Sequence, residues 1–145
     1  MTRSIVMFVF LATGLCSTPE PLTAIVDAVA TQPAKVGGTV ELVVAVKNTG
    51  PAIPHLALVF RTPDRWYERH EMTDLGGCTI AEDASGFDCG DLPANESKTY
   101  SFRGIASTAG TFHFELALRA LVHPFGYVNN HSDGADASVW DETVS

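Results

Sequence analysis

Residues 39–52 read TVELVVAVKNTGPA, and this stretch decides the fold. Val40, Leu42, Val44 and Val46 alternate with Glu41, Val43, Ala45 and Lys47. Period two with one wetter face is the pattern of a strand in an antiparallel sheet, since successive side chains point to opposite faces. Asn48-Thr49-Gly50-Pro51 follows. It combines a residue tolerant of positive φ, a glycine and a proline without an N–H, so it ends the strand.

Working outward, the same grammar recurs. Residues 22–30 (LTAIVDAVA) predict a first strand, closed by TQPAKVGG. Residues 55–62 (HLALVFRT) predict another, with Leu56, Leu58 and Phe60 on one face. CTIA and GFDCG flank the turn-like EDAS and predict a small hairpin. Residues 98–105 place Tyr100 and Phe102 together. In residues 111–120 (TFHFELALRA), Phe112, Phe114, Leu116 and Leu118 point one way, and His113, Glu115, Ala117 and Arg119 the other. DASVWDETVS closes the chain as an edge strand, with Trp140 packing against the sheet. No amphipathic helix and no internal repeat interrupts this series. Seven or eight short antiparallel strands at such spacing predict an all-β, immunoglobulin-like β-sandwich.

Length and composition agree with one domain. The chain has 145 residues, 46% of them hydrophobic and 18% charged, which is globular rather than disordered. Its net charge of -8 repels the phosphate backbone and anionic membrane surfaces, so nucleic acid is not an expected partner.

The first residues, MTRSIVMFVFLATGLCSTPEP, have one Arg, a short apolar run from Ile5 and then small residues. That is the order of a secretory signal, and the run is too short for the ~20 residues of a bilayer span. Residues 1–18 are therefore expected to be a signal peptide or N-terminal anchor, and residues 19–145 the domain. Cys16 raises a lipoprotein reading, against which Leu15 stands where a small residue is wanted. Any membrane contact is expected only through an uncleaved or lipidated N-terminus. Cys78 and Cys89 remain for the body of the protein. A close pair in an exported chain is read first as a disulfide.

The succession VGGTVEL, V-KNTGP, GC, DCGDLPANES and AGTF resembles the DUF11-type conserved repeat, an Ig-like module of bacterial and archaeal surface proteins. The resemblance covers about residues 22–122, and the tail through Trp140 resembles its closing strand. Asn95 stands where the family often has Gly, and Asn is the best non-Gly residue for a positive-φ turn. The resemblance implies a non-catalytic domain in envelope, adhesive or stalk proteins.

Chemistry-bearing residues point the same way. Five histidines (His55, His70, His113, His123, His131) form no close pair of metal-ligand spacing, so neither a metal nor a cofactor is expected. Glu82, Asp83, Asp88 and Asp91, and again Asn129, Asn130, Asp133 and Asp136, form oxygen-rich loops without the spacing of a calcium-binding EF-hand. No G-x-S-x-G elbow marks a nucleophile, and no catalytic residue is assigned. The departure from the resemblance is Arg65-Trp66-Tyr67-Glu68-Arg69-His70. Aromatic rings beside arginines can stack on a sugar or anchor a protein interface. Arg65, Trp66, Tyr67, Arg69 and His70 are therefore the candidate binding surface; the competing reading folds Trp66 back over the end of the sandwich.

The expectation is an exported, non-catalytic module at the cell surface, structural or adhesive, meeting other surface or envelope proteins. Two alternatives stand beside it: a carbohydrate-binding module using Trp66 and Tyr67, with glycans as partners, and a small accessory subunit of an envelope complex.

Overall fold

The computed structural model describes residues 22–31, 34–120, 129–130 and 137–145. The expected leader, Cys16, His123, His131, Asp133 and Asp136 lie outside the described residues. Two five-stranded sheets face each other. The first runs β4 (His70–Asp74), β7 (Ser97–Ala106), β2 (Thr39–Asn48), β1 (Thr23–Ala30), β9 (Asn129–Asn130). The second runs β10 (Ser138–Val144), β8 (Gly110–Ala120), β3 (Leu56–Phe60), β6 (Gly86–Asp88), β5 (Thr79–Ile80). All neighbours are antiparallel except β1 and β9. The fold is the expected immunoglobulin-like sandwich, with ten strands among the described residues where the alternation pattern suggested seven or eight. The surplus is β4, a polar edge strand without a buried stripe, and β9, two residues long and too brief to show a period.

The stripe of β2 does what its alternation requires. Val40, Leu42, Val44 and Val46 are buried, and Val46 pairs with Val26 while Leu42 pairs with Phe102. From the opposite sheet, Phe112, Phe114, Leu116 and Leu118 of β8 fill the same interior. Phe87 of β6 stacks on Phe102 of β7 with ring centroids 4.2 Å apart, which ties the two sheets at their centre. Gly86 is required where β6 meets β3, because an added Cβ would lie 1.9 Å from the Leu58 carbonyl oxygen.

After β1 the chain changes sheets. Ala34 forms a parallel bridge to Val144, and the Val36 amide donates to the Ser145 carbonyl at 3.0 Å. The connection from β3 to β7 crosses the sandwich more often than a simple Greek key. It leaves β3, makes one helical turn, α1 (Trp66–Arg69), forms β4 on the edge of the first sheet, and returns to the second sheet for the β5–β6 hairpin. That route places α1 across one end of the sandwich.

Candidate functional site

Cys78 and Cys89 are joined, with Cα atoms 4.3 Å apart across the β5–β6 hairpin. The Ala81 amide donates to the Gly86 carbonyl, so alternate partners along this ladder face each other without backbone bonds. Cys78 and Cys89 occupy such a close position, where cross-strand Cβ atoms approach best. Beside the hairpin lies a shallow groove of about 450 Å³ between His55, Thr79, Ile80 and the carboxylates of Glu82, Asp83 and Asp88. His55 Nδ1 is 3.7 Å from Asp88 Oδ2. The Ser85 hydroxyl and amide both donate to Asp83, which lowers the pKa of its carboxyl. Among the described residues, no three His, Cys, Asp or Glu side chains are grouped to hold a metal ion.

The candidate surface at residues 65–70 is built differently from the expectation. Trp66 has none of its surface exposed and His70 only 2%, so neither presents a ring to a ligand. This corrects the sequence reading in favour of its competitor, Trp66 folded over the end of the sandwich. The reason is Glu142, buried on the inward face of β10. The Trp66 indole N–H donates to Glu142 Oε2 at 2.9 Å, and His70 Nε2 lies 2.5 Å from Glu142 Oε1. His70 Nδ1 meets the Trp66 carbonyl at 2.8 Å, and the two rings stack with centroids 4.0 Å apart. A buried carboxylate demands such partners, and this one draws the whole turn inward.

The remaining three residues line the rim. Arg65 pairs with Glu68 at 3.1 Å on the surface. Arg69 pairs with Asp64 at 2.6 Å, and its guanidinium lies 4.7 Å above the Phe112 ring. Tyr67 leans on the hairpin: its ring meets Phe87 edge-on and its hydroxyl donates to the Ala84 carbonyl. Desolvation raises the pKa of that hydroxyl. The five residues form a packed corner with a charged rim, and a sugar-stacking platform of Trp66 and Tyr67 does not exist here. Trp140 packs on Phe114, centroids 5.4 Å apart, as expected for the closing strand.

At the opposite end of the sandwich Asn48 makes a second polar plug. It is 1% exposed, and its Nδ2 donates to the carbonyls of Pro51 (2.9 Å), Leu92 (3.3 Å) and Pro93 (3.0 Å). Its Oδ1 accepts from the Gly50 amide at 2.9 Å. The N-T-G-P and L-P-A-N-E-S segments are thus one unit in space. Asn95, in the second, has φ of 60°, the conformation its turn position called for.

Sequence reasoning missed both plugs. Glu142 carried a usable signal: it alternates inward with Trp140 and Val144, and an acid in an inward register needs a buried partner. Asn48 carried none beyond its role as punctuation.

No family model matches the chain, and no curated protein matches it. Solved structures do match it. The solution NMR structure of the CARDB domain of PF1109 from Pyrococcus furiosus superposes with a TM-score of 0.57 at 13% identity, covering 87% of this chain and 97% of that one. At that identity the likeness shows the fold alone, a β-sandwich module built on the same plan.

Proposed function

We propose that this chain is an exported, non-catalytic Ig-like module of the DUF11 type, a structural or adhesive element of the cell surface that acts through protein–protein contacts. The observation that carries the reading is the disulfide-stapled sandwich, similar in fold to the CARDB domain of the Pyrococcus furiosus protein. A cross-strand disulfide suits an oxidising compartment outside the cytoplasm. The polar side chains that most resemble a site, Trp66, His70 and Glu142, are spent on closing the sandwich and present nothing to a substrate. What such a module offers is a rigid frame with exposed rims, here Arg65, Tyr67 and Arg69 at one end and the acidic groove beside the hairpin.

The test is expression of the full chain in a bacterium with cell fractionation, thiol mapping of the extracytoplasmic fraction, and chemical crosslinking on intact cells. The reading expects an oxidised Cys78–Cys89 pair in that fraction and crosslinks to other envelope proteins. A chain retained in the cytoplasm with two free thiols overturns it, as does turnover on an ester, peptide or glycoside panel that one point mutation abolishes.

A further inference from the structure

Four large apolar side chains stand exposed among the described residues, and three of them share one flank of the sandwich. These are Val29, Val36 and Val139, each more than half exposed. The fourth, Ile80, is on β5, at the edge of the second sheet farthest from β10. Valines scattered singly on a surface are ordinary, so it is their grouping that asks for a reason.

The grouping follows from the path of the chain. β10 is the edge of the second sheet, and β1 borders the first beyond its two-residue contact with β9. The Ala28 amide donates to the Ser138 hydroxyl at 3.0 Å, and six residues further along both chains Ala34 bridges Val144. Between these contacts β10 spans about 20 Å. β1 and residues 34–36 thus flank β10 in parallel and close one side of the sandwich as a seam. Val29 is on the outer face of β1, between buried Ala28 and Ala30, and Val139 is on the outer face of β10, paired with Glu115. Val36 is at the far end, where its amide meets the Ser145 carbonyl.

Charge is polarised along the same seam. Asp27, two residues before Val29 on the same face, stands at the first end, and Lys35, beside Val36, at the other. Both are exposed, and neither has an ion pair among the described residues. Asp141, the acid beyond Val139 on the outer face of β10, is already held by His113 at 2.7 Å.

We propose that this seam is a self-association surface, on which a second copy of the chain packs about a two-fold axis. An axis through the middle of the seam turns one copy end for end against the other. Val36 of each copy then meets Val29 and Val139 of the other, and Lys35 of each faces Asp27 of the other. Over most of its surface a chain of net charge -8 repels its own copy, whereas this seam is its own complement in charge. The association needs only the folded chain in solution, so its failure leaves the reading of export and surface location untouched.

The test is sedimentation equilibrium of the full chain, in detergent to keep the apolar N-terminal run from associating. The wild type should sediment as a dimer of the 15.5 kDa chain. Lys35→Asp and Asp27→Lys should each raise the dissociation constant on the order of tenfold or more, because symmetry sets two like-charge contacts into every dimer. Mixed together, the two variants should recover the wild-type affinity, since each charged contact across that heterodimer again joins a cation to an anion. A monomeric wild type refutes the proposal and leaves the seam to a different protein. A dimer that neither reversal weakens, or whose variants fail to recombine, refutes it as well. Should a reversed variant not fold, Val139→Ser decides: it should weaken the dimer about tenfold, and unchanged association overturns the seam.

Discussion

Replacing Asn48 by Ala removes a side chain that serves four backbone groups at once. Its two Nδ2 hydrogens are shared among the Pro51, Leu92 and Pro93 carbonyls, and its Oδ1 holds the Gly50 amide. Two shared donors and one acceptor amount to three net hydrogen bonds, each worth about 1 kcal/mol. The buried Leu92 carbonyl keeps the Ile53 amide as a donor at 2.9 Å, so the total stays at about 3 kcal/mol. Against a whole-domain stability of roughly 5–15 kcal/mol this is a large fraction. Asn48→Asp should be worse than Asn48→Ala: it keeps the Gly50 bond but sets a carboxylate against three carbonyl oxygens. The assay is urea unfolding at neutral pH without reductant, with m-values checked for constancy. A loss below about 1 kcal/mol for Asn48→Ala would refute the clamp. So would an Asp variant as stable as the wild type.

Phe114→Ala should cost about 3–5 kcal/mol in the same melts, because its ring is fully buried among Phe60, Phe112 and Trp140. A loss below about 1 kcal/mol would reject the inward register of β8. Reducing Cys78–Cys89, separated by 11 positions, should lower stability by roughly 3 kcal/mol through loop-closure entropy in the unfolded chain; identical melts for oxidised and reduced protein would contradict it. The Asp141 hydrogen bond, then Glu115, raises the pKa of His113 above the ordinary imidazole value. Its stabilising contribution is therefore complete below about pH 6.5 and fades as pH rises through the folded-state midpoint. Proton NMR titration should find that midpoint elevated and Asp141→Asn should bring it down; a wild-type midpoint at or below the free value contradicts the pairing.

What the chain declares by itself is whatever is encoded locally. The stripes of β2, β7 and β8 follow from side-chain alternation, and each strand buries the face its period marks. The hairpin and the pairing of Cys78 with Cys89 follow from a short turn between two brief strands. Asn95 at positive φ follows from what its turn demands of a residue without a glycine's freedom. The ends of the sandwich were a different matter. Residues 65–70 look exposed in sequence because the turn is polar around its aromatics, and the acid that pulls Trp66 inward is 76 positions away. Asn48 reads as a strand terminator because its acceptors on Leu92 and Pro93 lie 44 and 45 positions distant. Periodicity reports which face of an element avoids water. Which buried polar group satisfies which other depends on where separate elements meet, and that is settled only when two sheets close over each other and every polar atom sealed inside must find its partner.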